Sequence, residues 1–564
     1  MSLSNNSTDL EQMFPRTGRV SLLDSEARLG VVVSGSLSKG LVIKLDSGQS
    51  VEELAVGRYI VVHGHQRRFF CMITDVVLDS SNPDIQNAPP DISDPFFEAI
   101  YIGTAAYGKI HAQPMLSIDD TESHPKPKPV KTIPGHFMRV MNATVEDVNA
   151  VFGEEEGMNF NVGAPLELEE TQINLNLKKL VERSVGVFGK SGTGKSFLTR
   201  LLIAGIIQRG AAVNLIFDMH NDYGWEATNE GGPRVKGLKQ LFNDKVSICT
   251  LDPESSLKRN AKVDFEVKLG YDEVEPEDIE ALRETMGLTD AMLDAARTVA
   301  KRWGERWIER TINANNEDID EIEQTTPIRS GTFVGLQRRL QRFERWQFLV
   351  PQSPGDSVAQ IVKLLEGGRS VVLEFGRYGN SLEAYMLVAN YLTRRIHSLY
   401  IDKVERAMGD ASMEPPQLLI TIEEAHKFLD PKIASQTTFG IIAREMRKYN
   451  VTLLIVDQRP SGIDEEVLSQ VGTRVTALLD NERDINAVLT GISGAAGLRE
   501  VLSRLDTKQQ AIIMGHAVPM PVVVKTRSYD EAFYEAMLRG EIGGKPLGAT
   551  RERLGNGSKE RRLR

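Results

Sequence analysis

The chain has 564 residues, with 67 lysines and arginines against 78 aspartates and glutamates, so its formal net charge is −11. Hydrophobic residues make up 41% and charged residues 26%, the composition of an ordinary soluble protein of about three or four domains. No run of about 18 apolar residues occurs, and the first residues are polar, so we expect no membrane span, no signal peptide and a cytoplasmic location. The acidic balance argues against nucleic acid binding over the whole surface, but it is compatible with a basic pore inside an acidic shell.

The N-terminal region is rich in short β-type runs. Gly, Ser and Asp turns separate these runs at the close spacing of a small β-barrel, and the candidate strands lie at 19–22, 30–33, 41–45 and 58–62. A second part of the same domain is expected over about 96–119. Prolines at 125, 127 and 129 predict an exposed loop or a domain edge. We assign residues 1–160 to this barrel and its connector.

From about residue 162, apolar runs alternate with helical stretches. Such short, nearly continuous apolar strands predict a parallel sheet with helices on both faces, and they lie at 184–188, 213–217, 371–375, 418–422 and 453–456. Helical periodicity over 276–350, with Thr289 as an N-cap, predicts a helical insertion. The predicted divisions are a first core part at 161–255, the insertion at 256–355, a second core part at 356–530 and a flexible C-terminal arm at 531–564.

A complete phosphate-binding loop follows the first of these strands. It matches G-x-x-x-x-G-K-[ST], and its residues are Gly189, Lys190, Ser191, Gly192, Thr193, Gly194, Lys195 and Ser196. The glycines let backbone N–H groups curve around phosphate oxygens, and the helical run that follows adds its positive N-terminus. We expect Lys195 to reach the β- and γ-phosphates of ATP and Ser196 to ligate Mg²⁺. The alternative, a Gly-rich turn that binds nothing, leaves the register of strand, loop and helix unexplained.

Two carboxylates end the apolar strand at 418–422. Because side chains alternate along a strand, Glu423 and Glu424 are predicted to have different roles. Glu423 is expected on the Mg²⁺ side, acting through water, and Glu424 is expected to orient and polarise the attacking water. The alternative is a surface acidic pair at a strand end.

Polar residues also end the strand at 453–456. They begin with Asp457, Gln458, Arg459 and Pro460. Gln458 is a candidate contact to the γ-phosphate or to the attacking water, from where it would report hydrolysis to the rest of the subunit. A simple turn led by Pro460 is a fair competitor on these residues alone.

The motifs resemble, in order, those of the HerA branch of the HerA/FtsK translocases. The resemblance covers nearly the whole chain and is strongest at 176–196, 217–223, 422–428 and 443–461. Two positions depart from the family pattern. Glu423 stands where the family usually has aspartate, and Asp218-Met219-His220-Asn221-Asp222-Tyr223 stands for Asp-Pro-His-Gly-Glu-Tyr. The resemblance implies a RecA-like P-loop ATPase core that carries an N-terminal β-barrel and a helical insertion.

The same resemblance implies a homohexameric ring that uses ATP to drive double-stranded DNA through its centre. ATP would bind between neighbouring subunits, and an arginine of the next subunit would stabilise charge on the γ-phosphate. Arg444 and Arg447 are the candidates by motif position, and their alternative is an i,i+3 pair on a solvated helix face. Family members work with a NurA-type nuclease in DNA end processing or with effector enzymes in phage defence.

The DNA contacts and the mode of action stay open at this point. The segment 231–239 is a candidate pore loop, and a solvated basic loop is at least as compatible with it. A ring scaffold that assembles and switches an effector enzyme is the second hypothesis, favoured by the acidic balance. A conjugation or chromosome-segregation pump shares the motor core but predicts membrane segments.

Overall fold

The computed structural model describes residues 28–91, 93, 96, 101, 105–122, 126–166, 168–228, 234–434, 437–492, 495–539, 541–542 and 545–546. The chain divides into two compact units, Met1–Val151 and Phe152–Arg564. Within the described ranges, no helix combines the length and the apolar character that crossing a membrane requires.

The N-terminal unit is a closed antiparallel barrel. Its described strands are β1 (Arg28–Ser36), β2 (Gly40–Leu45), β3 (Tyr59–His63), β4 (Arg67–Ser80), β5 (Ala106–Asp119), β6 (Lys128–Pro129) and β7 (Arg139–Asn142). They pair in the order β2-β1-β7-β3-β4-β5-β6, and a further pairing of β2 with β5 closes the ring. Helices α1 (Pro83–Asn87) and α2 (Val145–Phe152) accompany the barrel.

The barrel core is apolar because alternate strand residues point inward. Ile43, Ile60, Cys71 and Ile110 are completely buried there. The strands predicted at 30–33, 41–45 and 58–62 are confirmed as β1, β2 and β3, whereas the one at 19–22 lies outside the described residues. Cys71 in the barrel and Cys249 in the C-terminal unit are buried free thiols.

The C-terminal unit is built on a large mixed sheet. Its strands and short ribbons are β8 (Asn159–Pro165), β9 (Ile173–Asn176), β10 (Val185–Phe188), β11 (Val213–Asp218), β12 (Ala227–Thr228), β13 (Arg234–Val235), β14 (Val246–Thr250), β15 (Phe265–Glu266), β16 (Leu269–Gly270), β17 (Leu349–Val350), β18 (Ser370–Glu374), β19 (Leu418–Glu423), β20 (Val451–Asp457), β21 (Thr473–Thr476), β22 (Gln510–Gly515), β23 (Val522–Thr526), β24 (Glu541–Ile542) and β25 (Lys545–Pro546).

Twelve of these strands form one sheet in the order β15-β14-β18-β11-β19-β20-β10-β21-β22-β23-β8-β9. The pairs from β15 to β21 are parallel, and the pairs from β21 to β9 are antiparallel. All five apolar runs predicted as strands are confirmed, as β10, β11, β18, β19 and β20. In the parallel part the carboxyl ends of the strands share one edge of the sheet, so the residues that follow β10, β11, β19 and β20 lie close together.

Helices cover this sheet and form the region between β16 and β17. They are α3 (Leu177–Val181), α4 (Lys195–Arg209), α5 (Leu238–Phe242), α6 (Pro253–Lys258), α7 (Pro276–Glu280), α8 (Arg283–Met286), α9 (Asp290–Trp303), α10 (Trp307–Asn313), α11 (Asn316–Thr325), α12 (Ser330–Leu340), α13 (Ser357–Glu366), α14 (Leu382–Ala407), α15 (Thr438–Glu445), α16 (Glu465–Gln470), α17 (Glu482–Leu489), α18 (Ala495–Ser503) and α19 (Glu531–Arg539).

The predicted helical segment contains α7 to α12. Thr289 caps α9 by accepting a hydrogen bond from the Met292 backbone N–H, as predicted. Helix α19, within the predicted C-terminal arm, contacts α4 through the Ala536 carbonyl, which accepts a hydrogen bond from the Gln208 side chain at 3.0 Å. The chosen boundaries between core, insertion and arm stay predictions.

Candidate active site

The phosphate-binding loop lies between β10 and α4, at the carboxyl edge of the sheet. Gly192 and Gly194 have left-handed φ angles of 79° and 88°, which favour glycine. The Thr193 hydroxyl donates to the Lys190 carbonyl at 2.7 Å, and the Lys195 ammonium donates to the same carbonyl at 3.0 Å. These contacts hold the loop curved at the N-terminus of α4, where backbone N–H groups favour an anion.

A cleft of about 220 Å³ opens beside this loop. It collects most of the predicted site residues from three separate segments, and those lining it are Ser191, Gly192, Gly194, Lys195, Ser196, Glu423, Glu424 and Gln458. Gly189, Lys190 and Thr193 belong to the loop but do not line the cleft. The fold therefore brings the predicted phosphate, metal and water ligands to one place.

Glu423 is the last residue of β19, and it is buried. Its carboxylate Oε1 accepts a hydrogen bond from the Tyr223 hydroxyl at 2.8 Å, whereas its buried Oε2 has no hydrogen-bond partner among the described residues. Burial raises the pKa of Glu423 to about 7, against the opposing effect of the Tyr223 hydrogen bond. A buried carboxylate oxygen without a donor, in the same cleft as the Ser196 hydroxyl, fits the oxygen ligands that Mg²⁺ prefers.

Glu424 follows the strand in a left-handed backbone conformation, with φ of 48°. This conformation is unusual for a residue with a side chain, and such residues cluster at functional sites. The Glu424 side chain is partly exposed, and its Oε1 accepts a hydrogen bond from the Gln458 side-chain amide at 3.0 Å. The two neighbouring glutamates therefore occupy different environments, one buried and one open to the cleft.

Asp457 and His426 fix the turn that carries Glu424. Asp457 ends β20 and is completely buried. Its carboxylate accepts the His426 backbone N–H at 2.7 Å and lies 2.9 Å from the His426 ring Nδ1. This pair ties the segment after β19 to the neighbouring strand, so that Gln458 and Glu424 meet.

Asp218 was seen in the sequence only as part of a motif, and the structure gives it a local role. Its carboxylate accepts the backbone N–H groups of Asp222, Tyr223 and Gly224 at 2.7, 2.8 and 3.2 Å. Burial, together with the nearby Glu374 carboxylate, raises the pKa of Asp218 to about 7. The turn after β11 places His220 and Asp222 on the cleft.

Arg444 does not reach this cleft. It lies on α15, where its guanidinium donates to the Ala434 carbonyl at 2.8 Å and to Glu466 at 3.3 Å. It lines a second cavity, of about 480 Å³, together with Arg183, Arg474 and His516. Arg447 lies in the turn Met446–Tyr449, and its side chain is outside the described residues.

The second cavity lies at the opposite edge of the sheet. Its lining includes Ser184, which precedes β10, Thr452 near the start of β20, and Gly472, which precedes β21. These are the amino ends of the same parallel strands whose carboxyl ends face the cleft. The chain therefore holds its candidate arginine on the edge away from its own phosphate-binding loop.

The basic side chains of the candidate pore segment have acidic partners. Arg234 pairs with Glu226, Lys236 with Glu531 and Lys239 with Asp264, each at 3.2 Å. Residues 231–233 lie outside the described residues. The assignment of this segment to a DNA pore stays a prediction.

A phosphate-binding loop that begins a buried helix, with two carboxylates facing it from the same sheet edge, is the arrangement of the P-loop ATPases, and the chain is an enzyme of that class. The family model described as "Helicase HerA, central domain" matches residues 160–396. The chain is 25% identical to the DNA double-strand break repair helicase HerA of Pyrococcus furiosus over 460 residues, which cover 76% of this chain and 79% of that protein. The central part of the chain, residues 160–396, therefore resembles the central domain of the HerA helicases.

A second relative is similar to the same degree, and the solved structures that match are more distant in sequence. The HerA helicase of Sulfurisphaera tokodaii is 25% identical over 437 residues, which cover 75% of this chain and 79% of that protein. Among solved structures, VirB4 of Thermoanaerobacter pseudethanolicus superposes with a TM-score of 0.43 at 13% identity, covering 68% of this chain and 100% of VirB4. The plasmid coupling protein TrwB with ADP and Mg²⁺ gives a TM-score of 0.42 at 12% identity, and the match covers 63% of this chain and 87% of TrwB.

Proposed function

We propose that the chain hydrolyses ATP to move double-stranded DNA through a homohexameric ring. The observation that supports this most is the cleft that joins Lys195, Glu423 and Glu424 in a chain whose central part matches the HerA helicase model. The matched relatives are named as helicases of DNA double-strand break repair, which favours DNA as the track.

ATP binding rests on the phosphate-binding loop. The backbone N–H groups at the start of α4 and the Lys195 ammonium bind the β- and γ-phosphates, since both present positive charge to the cleft. Ser196 would ligate Mg²⁺, and the Oε2 atom of Glu423 would hold the ion through a water molecule. A bound Mg²⁺ neutralises charge on the phosphate oxygens and so favours displacement at the γ-phosphate.

Hydrolysis rests on Glu424 and Gln458. The Glu424 carboxylate faces the cleft from a fixed turn, so it accepts a proton from water and orients that water toward the γ-phosphate. Gln458 holds one oxygen of Glu424 through its amide and leaves the other oxygen for the water. A change at the γ-phosphate is then transmitted through Gln458 to β20 and the residues after it.

A second copy of the chain completes the site. Arg444 lies at the amino edge of the sheet, with Arg183 and Arg474 beside the same cavity. When this edge faces the cleft of a neighbouring copy, an arginine stabilises the charge that develops on that copy's γ-phosphate. This supports a closed ring of heterologous contacts. In the pathway, the ring acts with a NurA-type nuclease in end processing or with an effector in phage defence.

The function predicts a specific pattern of ATP turnover. Lys195→Ala and Glu424→Gln should each lower the rate at least about 100-fold, since each removes a group that acts directly on the γ-phosphate or the attacking water. Double-stranded DNA should stimulate the wild-type rate. The measurement is phosphate release with and without DNA, with Glu122→Gln in the N-terminal unit as the matched control.

A ring scaffold that switches an effector enzyme is the second candidate. It is favoured by the net charge of −11 and by the acidic partners of Arg234, Lys236 and Lys239. A turnover rate that no DNA changes, together with failure to displace a protein roadblock from DNA, would establish the scaffold and reject the translocase.

A further inference from the structure

Two buried tyrosines meet Glu423 from different elements. Tyr223, in the turn after β11, donates its hydroxyl to the Glu423 carboxylate at 2.8 Å. Tyr385, on α14, accepts the Glu423 backbone N–H and donates to the Glu423 carbonyl, both at 3.1 Å. Both tyrosines are completely buried. One therefore fixes the side chain of Glu423 and the other fixes its main chain.

The turn after β11 delivers Tyr223 to this contact. Asp218 ends the strand and accepts the Tyr223 backbone N–H at 2.8 Å, which sets where the ring leaves the turn. Gly224 follows, and a Cβ there would lie 2.7 Å from Glu374 Oε1. The turn is thus closed tightly against β18, and the tyrosine hydroxyl has little freedom to leave the carboxylate.

The consequence concerns the orientation of the Glu423 carboxylate. The terminal torsion of a glutamate is broad and nearly two-fold, so either oxygen can face a ligand when nothing holds the group. A hydrogen bond to an ionised acceptor is among the stronger ones. With Oε1 held by Tyr223, the buried Oε2 is the oxygen that lacks a protein donor.

Replacing one tyrosine should therefore affect metal-dependent nucleotide binding differently from replacing the other. A residue that fixes only the main chain affects folding and every ligand alike. A residue that fixes the carboxylate affects the metal-bound nucleotide and leaves the metal-free nucleotide nearly unchanged, since the phosphates are bound by the loop and Lys195.

We propose that Tyr223 is a positioning residue that holds the Glu423 carboxylate so that Oε2 alone faces the Mg²⁺ of the bound nucleotide. The proposal rests on the proposed function for the metal-side role of Glu423. Glutamate at this position has one methylene more than the aspartate usual in the family, and the Tyr223 hydrogen bond removes the added freedom.

The test measures nucleotide affinity without DNA and without turnover. A fluorescent ADP analogue is titrated into wild type, Tyr223→Phe, Tyr385→Phe and Glu423→Gln, in Mg²⁺ and in EDTA. We expect Tyr223→Phe to bind the analogue in EDTA with an affinity within about twofold of wild type. The increase in affinity that Mg²⁺ brings should be about tenfold smaller in Tyr223→Phe than in wild type, as expected for one hydrogen bond to a charged group. Tyr385→Phe is matched in chemistry and burial, and it should keep that gain.

The outcomes separate the two claims. If Glu423→Gln loses the Mg²⁺ gain while Tyr223→Phe keeps it, the positioning role of Tyr223 is rejected and the metal-side role of Glu423 stands. If Glu423→Gln keeps the gain, the metal-side role falls and the positioning role falls with it. Equal losses in Tyr223→Phe and Tyr385→Phe would mean that both tyrosines act only on the fold.

A double-mutant cycle tests the geometry directly. Glu423→Asp shortens the arm and draws the carboxylate away from the Tyr223 hydroxyl. In that background, Tyr223→Phe should reduce the Mg²⁺-dependent increase in affinity by less than about twofold, because the effects of substituting two residues in contact are not additive. Additive losses would reject a direct contact between the two side chains in the metal-bound state.

Discussion

The two edges of the large sheet gather different sets of charged side chains. At the carboxyl edge, β11, β18, β19 and β20 end in the buried carboxylates of Asp218, Glu374, Glu423 and Asp457. At the amino edge, Arg183, Arg444, Arg474 and His516 line one cavity. A parallel sheet gathers the ends of its strands at two separate edges. Each edge also holds charges of the other sign, since Arg200 lines the cleft and Glu182 lines the second cavity.

Arg474 shows how unusual the amino edge is. It is 2% exposed, and its guanidinium donates to the carbonyls of Val488, Thr490 and Leu468 at 2.6 to 2.8 Å. Burial lowers the pKa of Arg474 to about 10. A buried cation bonded to carbonyls alone retains uncompensated charge, which an anion at this cavity would offset.

The distance between the edges decides where Arg444 acts. Strand β20 has seven residues and spans about 23 Å at the usual rise of a strand. Its first end reaches the cavity of Arg444, and its last end carries Asp457 and leads to Gln458 in the cleft. In the proposed ring, the carboxyl edge of one copy would therefore face the amino edge of its neighbour.

The largest expected effect comes from substituting a residue at the carboxyl edge in one copy of the chain and a residue at the amino edge in another copy. Lys195→Ala and Arg444→Ala should each lower turnover at least about 100-fold. In a 1:1 mixture, an intact loop in one copy meets an intact arginine in its neighbour at about a quarter of randomly formed heterologous interfaces. Mixing the two inactive variants should therefore restore measurable ATP turnover.

The control for this mixture uses two defects on the same edge. Lys195→Ala and Glu424→Gln both damage the cleft, so no interface between them is complete and turnover should stay absent. Equal rates in the two mixtures would reject the assignment of Arg444 to a neighbouring site.

The large sheet was predictable from the sequence where strands are apolar throughout. The runs that became β10, β11, β18, β19 and β20 have few polar residues, so burial on both faces leaves little choice. Strands β21, β22, β23, β8 and β9 were not singled out. From β22 to β9 they extend the sheet antiparallel, and pairing between distant segments leaves no periodic mark in the sequence.

The site was predictable where chemistry is local. The glycine loop and the Glu423–Glu424 pair are each recognisable within eight residues or fewer, because the residues of each motif are contiguous in the chain. The contact of Tyr385 with Glu423 joins α14 to β19 and carries no local pattern. The position of Arg444 at the far edge depends on where α15 packs, which only the fold determines.

A smaller effect follows from burying acids at the carboxyl edge. The folded-state pKa of Asp218 is raised from 3.8 to about 7, so the folded chain binds this proton more tightly than the unfolded chain. Its contribution to stability is therefore full at low pH and is lost as the pH rises toward about 7, by up to about 1.4 kcal/mol per pH unit.

Thermal unfolding without nucleotide and in EDTA measures this dependence. The melting temperature of the wild type should fall between pH 5 and pH 7, and Asp218→Asn should make that fall shallower, even though it also removes hydrogen bonds from the turn. Parallel curves for the two proteins would show that Asp218 keeps its charge in the folded chain.

The smallest expected effect concerns the exposed rim of the same edge. Lys190 and Lys195 lie five residues apart in one loop. The Lys190 ammonium contacts Asp480 at 2.5 Å, and the side chains of Lys190 and Asp480 are each more than half exposed. Because exposed ion pairs contribute little, Lys190→Ala and Asp480→Asn should change the KM for ATP by less than about fivefold. Steady-state kinetics at several ATP concentrations measure this, with Lys195→Ala as the reference for a lysine that binds phosphate. A loss in Lys190→Ala close to that of Lys195→Ala would place a second lysine on the phosphates and make the charge of the rim part of the site.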